Sequence, residues 1–308
     1  MITASAPAKA IILGEHTALY GNPVLVMALD LRAYVSVSAR RDQKTSITSE
    51  DLGLRNAPLK RNQRGTQLVR KAIELVGHKT GFDIRIKSDI PIASGLGSSA
   101  AIASALLMAL KAETGQDLNI QRLAHDALEC EHMVHKRSSG VDTFAVVYGG
   151  LCLYQKLRAE RLEADEYPPF IIAHSGISSD TGDIVSDVDR VRKKEPKRFR
   201  AFLEESKRIV LSGRDAIREG DWATLGELMN KNHLLLRDMG VSCARLDDLV
   251  TRACRVGAYG AKLSGAGRGG VVIALVDENL REKVTTALSS MDSKIISTRF
   301  SQEGVRLE

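Results

Sequence analysis

Aromatic residues are scarce in this chain of 308 residues: six Phe, six Tyr and one Trp make up 4% of it. A core built from it must be mostly aliphatic. Cysteine is sparse too. Cys130, Cys152, Cys243 and Cys254 contain no C-x-x-C pair, and four in so long a chain do not make a disulfide scaffold. They read as reduced thiols of a cytoplasmic protein. No apolar run reaches ~18 residues without polar interruption, so no membrane helix is expected. The chain does not open with a charged segment, an apolar stretch and a small-residue cleavage site, so no secretory leader is expected either. Neither charge sign dominates. The net charge of +6 suits small anions as well as nucleic acid and decides neither. What is abundant is aliphatic material: 44% hydrophobic residues, enough for two domains or one large one.

The most informative stretch runs from Ile86 to Leu110. Phe82, Ile84 and Ile86 alternate with polar residues, which predicts a strand. Pro91 turns the chain, Gly95 and Gly97 follow, then Ser98, Ser99 and a run of Ala, Ile and Leu with no Gly or Pro, about four helical turns long. A glycine-rich loop opening a helix is an anion site, because first-turn N–H groups have no internal partner and glycine lets the backbone approach a phosphate. Gly95-Leu-Gly97-Ser-Ser-Ala100 also fits the dinucleotide pattern G-x-G-x-x-A. The alternating strand before it and the poorly placed Glu113 and Asp117 argue against that use. No Lys-Ser/Thr pair follows, so it is no Walker A loop. Read alone, the segment could equally be the capped start of a buried Ala-rich helix.

A second predicted helix spans Ile120–His135, with Ile120, Leu123, Ala124, Ala127, Leu128 and Val134 on one stripe. Glu131 falls on the same stripe, and a carboxylate on a buried face calls for a cation or a metal. Its neighbours His132 and His135 give the order E-H-x-x-H rather than H-E-x-x-H, and no third ligand cluster accompanies them, which argues against zinc. Ser138-Ser139-Gly140-Val141-Asp142 follows. As an isolated feature, Asp142 reads as an Asx-turn or a helix N-cap.

Elsewhere the chain is expected to form strands within 2–39, loop or irregular structure over 40–64, and a short helix over Gln67–Val76. Charged residues 154–169, ending in Pro168-Pro169, suggest an inter-domain segment, followed by a strand at Phe170–His174. Helices are expected over 183–194, 199–218 and 222–239. Seven Lys/Arg between Arg190 and Arg200 suggest a solvated helix face rather than a nucleic-acid site, since no aromatic series accompanies them. Near the end, five glycines between residues 260 and 270 precede the apolar Val271–Val276. That is more than a turn needs and fits close backbone approach to a ligand, or else tight strand packing. A helix over 278–290 and a strand over 294–300 close the chain.

Three polar or glycine-rich segments thus stand in order: Pro7-x-Lys9 through Leu13-Gly14-Glu15-His16, Ile90-Pro91 through Gly95-Leu-Gly97-Ser-Ser-Ala-Ala101, and Lys262-Leu-Ser264-Gly265-Ala-Gly267. Together they resemble the three motifs of the GHMP kinase family, over Ser5 to Leu275. The likeness is strongest to its mevalonate kinases of the archaeal or bacterial type, through Ser5-Ala-Pro-Ala-Lys9, Gly14-Glu-His-Thr-Ala-Leu-Tyr20-Gly21 and the eleven-residue spacing of Glu131 and Asp142. The resemblance implies an α/β (α+β) chain of two domains, 1–160 and 161–308, the first like ribosomal S5 domain 2 and the second ferredoxin-like, with the site between them.

It also implies transfer of a phosphoryl group from ATP to the C5 hydroxyl of mevalonate. Another GHMP kinase reaction, on phosphomevalonate or a sugar, and a silent ligand sensor are the alternatives. On this resemblance, Pro91, Ala93, Ser94, Gly95, Leu96, Gly97, Ser98, Ser99 and Ala100 bind ATP, and Ser98 or Ser99 with Glu131 holds Mg²⁺. Asp142 accepts or orients the hydroxyl proton. Lys9 lies beside it and favours the alkoxide. Glu15, His16, Asp142, Thr181, Gly265 and Ala266 shape the substrate side. The implied assembly is a cytoplasmic homodimer with a small-molecule substrate, no nucleic acid and no membrane partner. Two departures stand out. Arg268 replaces a glycine of the third motif, with phosphate contact or solvent exposure as its open roles. Thr143 and Lys136-Arg137-Ser138 replace residues usual around Asp142.

Overall fold

The computed structural model describes residues 1–60, 66–78, 80–91, 94–134, 138–163, 167 and 169–308. Two sheets organise them. The first contains β1 (Ile2–Leu13), β2 (Val24–Ala39), β3 (Ser46–Ser49), β4 (Leu54–Pro58), β5 (Phe82–Ser88), β6 (Leu151–Gln155), β7 (Arg158–Leu162) and β12 (Arg306–Leu307), in the order β12-β1-β2-β5-β3-β4, with β6 branching from β2 to pair with β7. Four helices accompany it: α1 (Gln67–Val76), α2 (Ser98–Glu113), α3 (Ile120–His132) and α4 (Val141–Tyr148). The second sheet is antiparallel, β11-β8-β10-β9, from β8 (Phe170–His174), β9 (Gly260–Ser264), β10 (Val271–Leu275) and β11 (Lys294–Ile296). With it come α5 (Thr181–Lys194), α6 (Pro196–Glu219), α7 (Trp222–Asp238), α8 (Ala244–Arg255) and α9 (Arg281–Ser289).

Small residues set how closely these layers approach. Ala4, Ala6, Ala8 and Ala10 of β1 are all fully buried, and α2, buried from Ala100 through Lys111 apart from Ile102, packs on β1 and β2. An Ala-rich helix lies close over an Ala-rich strand, which the scarcity of bulky aromatics allows. Period 2 decides the second sheet. Val271, Ile273 and Leu275 face the core shared with the first sheet, while Val272 and Ala274 face the core under α5, α8 and α9. That is why β10 reads as an unbroken apolar run.

Several expectations need correction. Residues 40–64 are not irregular throughout: they include β3 and β4, the former parallel to β5. β3, between β5 and β4, and the edge strand β4 carry Ser46, Thr48, Ser49, Arg55 and Asn56, so their apolar alternation is weak. The charged stretch after Tyr154 forms the β6–β7 hairpin, and the division placed after residue 160 falls inside β7. The α3 helix ends at His132, and His135 lies outside the described residues. The last strand beyond Ile296 is replaced by a bridge from Phe300 to Leu29, after which the chain returns to β1 as β12.

Candidate active site

Lys9 is the residue on which the site is hung. It lies in β1 just past a register shift at Pro7–Ala8 that breaks the regular pairing with β2. Its backbone N–H donates to Leu96 O at 2.9 Å, and its ammonium donates to Gly95 O at 2.9 Å. Leu96 is buried at 1% exposure and plugs the loop into the core, while Gly95 and Gly97 take φ of +78° on either side of it. The first helical bond of α2 runs from Ala101 N–H to Gly97 O at 3.0 Å. The N–H groups of Ser98, Ser99 and Ala100 therefore have no acceptor within the helix. Ser94 steadies the approach, its buried hydroxyl donating to Pro91 O at 2.7 Å. Ala93 lies outside the described residues.

Glycine at 97 is required twice over. A Cβ there would sit 2.9 Å from Lys9 Cγ, and the backbone is left-handed. Gly97→Ala is expected to displace Lys9 and lower kcat by about 100-fold, since a misplacement near 1 Å costs that much. Steady-state rates, set beside the thermal midpoint, check this.

The Lys9 ammonium also meets Asp142 Oδ1 at 3.1 Å, with the lysine side chain 3% and the aspartate 35% exposed. Asp142 is not an N-cap. Gly140, at φ +83°, caps α4, and Asp142 stands in the helix's first turn, where a carboxylate is favoured by the helix dipole. α3 follows α2 after a short connection and packs against both α2 and α4. Such a helical hairpin returns Glu131, in the last turn of α3, towards the end where α2 begins. Glu131 is 4% exposed. Among the described residues no group of three His, Cys, Asp or Glu side chains is placed to hold a metal unaided.

The third glycine-rich loop closes on the first two segments. Ser264 bonds the backbone of Ile11 in both directions, at 2.9 and 3.0 Å. Gly265 packs on Gly95, where a Cβ would lie 3.6 Å from its carbonyl oxygen. His16 Nε2 is 2.8 Å from Ala266 O. The loop also holds the segment leading into α5: Gly270 N–H donates to Ile177 O at 2.8 Å and Ser179 Oγ to Gly267 O at 2.7 Å. Asp180 caps α5 through the N–H groups of Gly182 and Asp183, leaving Thr181 exposed at its first position. Arg268 neither reaches a phosphate loop nor dangles. Its guanidinium donates to Asp187 of α5 at 2.6 Å and to Gly240 O at 3.0 Å, from a left-handed backbone at φ +52°.

Two features escaped the sequence reading. Glu15, expected on the substrate side, is instead fully buried in an ion pair with Lys262 of β9, which also donates to Leu263 O at 2.6 Å. Burial pushes the Glu15 carboxyl up and the Lys262 amine down, and their mutual attraction works against both shifts. His233 of α7 lies below, Nε2 3.1 Å from Asp247 Oδ1, while its Nδ1 accepts from Leu263 N–H at 3.4 Å. Burial pushes its pKa down to about 4 from the ordinary 6.5. In the unfolded chain it protonates near its ordinary pKa, in the folded one only near pH 4. Folded stability is therefore full above the unfolded pKa and falls as pH drops from about 6.5 to about 4, by about 3 kcal/mol for this residue. Denaturant unfolding at pH 7 and pH 4.5 should show that loss, and His233→Gln should lose less.

The family description "GHMP kinases N terminal domain" matches residues 67–150 and "GHMP kinases C terminal" matches residues 214–294, together more than half of the chain. The mevalonate kinase of Pyrococcus furiosus is 33% identical, covering 100% of this chain and 98% of its own. That of Methanothermobacter thermautotrophicus is 35% identical over 98% of this chain and 99% of its own. A solved mevalonate kinase structure superposes with a TM-score of 0.85 at 25% identity, covering 98% of this chain and 100% of its own. On these full-length likenesses, and on a phosphate-type loop, lysine and aspartate brought together as described, the chain belongs to the GHMP kinases.

Proposed function

We propose that the chain transfers the γ-phosphoryl group of ATP to the C5 hydroxyl of mevalonate, giving 5-phosphomevalonate and ADP. The observation that carries the reading is Lys9, bonded at once to the Gly95 loop and to Asp142. It joins a place for a triphosphate to a base for an alcohol. The full-length relatives, named mevalonate kinases, support mevalonate as the alcohol.

The triphosphate lies on the 94–99 loop, against the first-turn N–H groups of α2. Ser98 or Ser99 and Glu131 would hold a Mg²⁺ ion bound with ATP, an oxygen-only set with one carboxylate that suits such an ion, and the ion would supply charge neutralisation on the phosphates. The hydroxyl oxygen forms a bond to the γ-phosphorus as the bond to the bridging oxygen of ADP breaks, and Asp142 takes the hydroxyl proton. The Lys9 ammonium has three N–H bonds. Gly95 O and Asp142 take two, and the third serves the reacting oxygen. His16 and Thr181 face the substrate side, with Gly265 and Ala266 closing over it, and Glu15, buried against Lys262, precedes His16 in the same turn. In the cell the reading is a cytoplasmic homodimer. No helix among the described residues is long and apolar enough to cross a membrane.

ATP turnover on mevalonate, phosphomevalonate and galactose tests the assignment. Mevalonate should give by far the highest kcat/KM, and a preference for either of the others would overturn it.

A further inference from the structure

Asp142 must be held still to receive a proton, yet the turn before it contains only small residues, Ser138, Ser139 and Gly140. What lies under that turn is Tyr154. It sits on β6 opposite Val24 of β2, inside the first sheet, and is 1% exposed. Its phenol donates a hydrogen bond to Ser139 O. Its ring meets Phe144 of α4 edge-on, with centroids 5.5 Å apart. Gly140 rests on the same hydroxyl: a Cβ at 140 would lie 2.6 Å from Tyr154 Oη and 3.2 Å from Leu157 Cδ2. The turn continues upward from there. Thr143 Oγ1 donates to Gly140 O at 3.0 Å and Phe144 N–H to the same oxygen at 3.0 Å, which fixes the first turn of α4 and hence Asp142. Burial pushes the phenol up to about 12, so it remains a donor at neutral pH.

We infer that Tyr154 is a positioning residue for phosphoryl transfer: its hydroxyl, fixed by the sheet, sets the Ser139–Gly140 turn and so the placement of the Asp142 carboxylate against Lys9. This rests on the reading of Asp142 as the base. A residue serving only packing would be replaced by Phe with little kinetic effect, since ring and volume are kept. The hydroxyl acts on the carboxylate, which matters in the transition state, and not on the 94–99 loop that binds ATP.

The test is Tyr154→Phe in the full chain, measured for kcat, for KM of MgATP and mevalonate, and for thermal midpoint. The expected result is a kcat lowered by about 10- to 100-fold with both KM values within about twofold. Gly140→Ala reaches the same contact from the other side, and should lower kcat likewise. Combined with Tyr154→Phe, which removes the oxygen its new methyl strikes, it should cost less than the two single losses multiplied. Gly140 is left-handed at φ +83°, which strains an alanine whatever lies beside it, so Gly140→Ala is read only through the double variant. Should Tyr154→Phe not fold, Tyr154→4-fluorophenylalanine, which fills the hydroxyl's volume without donating, decides by the same loss in kcat at unchanged KM. An unchanged kcat, losses shared equally by kcat and both KM values, or fully multiplicative losses overturn the inference. Asp142→Asn separates the two readings. If it stays active, the base assignment fails. If it is inactive while Tyr154→Phe keeps full kcat, only the role of Tyr154 fails.

Discussion

Asp142→Asn is expected to lower kcat by about 10²- to 10⁴-fold, the usual worth of a positioned general base. Asparagine has nearly the same shape and can still accept the bond from Lys9, now 3.1 Å long. It cannot take the hydroxyl proton. Asp142 is 35% exposed but Lys9 only 3%, and the amide still accepts from the ammonium, so losing the charge should cost the fold about 1–3 kcal/mol. KM for MgATP should hardly move, because the loop that carries ATP is fixed through Leu96 and Gly95. Steady-state and single-turnover rates, with a denaturation curve, check all three statements. A variant retaining more than about a tenth of wild-type kcat would be incompatible with a base at this position.

Lys262→Met should produce the largest loss of stability. It leaves the Glu15 carboxylate buried with no cation, and breaking one side of a buried pair costs about 3–5 kcal/mol. The effect reaches the site as well. Glu15 precedes His16 in the turn after β1, and Lys262 lies two residues before Ser264, which ties β9 to Ile11. The pair thus joins the turn after β1 to the second sheet, beside the bonds between Ser264 and Ile11. Replacing both members, Glu15→Leu with Lys262→Met, should recover most of the lost stability, since an apolar pair of similar volume needs no desolvation. Denaturant midpoints of the two single variants and the double check this. If Lys262→Met proved as stable as the wild type, the pair would not be the tie described here.

Much of this was legible beforehand. The glycine spacing of Gly95 and Gly97, the serine pair and the Ala-rich run were enough to place α2 and its open N–H groups, because that information is local. The inward position of Glu131 followed from helical period alone. Other features were hidden for identifiable reasons. Lys262 opens the third motif, but its partner is 247 residues away, so nothing local shows that it pairs with Glu15. Arg268 could not be assigned, because Asp187 reaches it only through the docking of α5. The helix α8 is a different case. Leu246, Leu249, Val250 and Ala253 recur at helical spacing and are all buried, and counting that period would have found it. The support under Asp142 was invisible, since Tyr154 reaches the Ser139–Gly140 turn only once β6 has paired with β2.

The central claim is that the cleft phosphorylates the C5 hydroxyl of mevalonate. The most direct measurement is phosphorus NMR of the product formed from ATP and mevalonate by the purified chain. The account predicts one new phosphomonoester signal, coupled to the two protons of the C5 methylene, growing in step with ADP. A diphosphate ester signal from phosphomevalonate, a monoester at another carbon, or release of inorganic phosphate in place of an ester would contradict it.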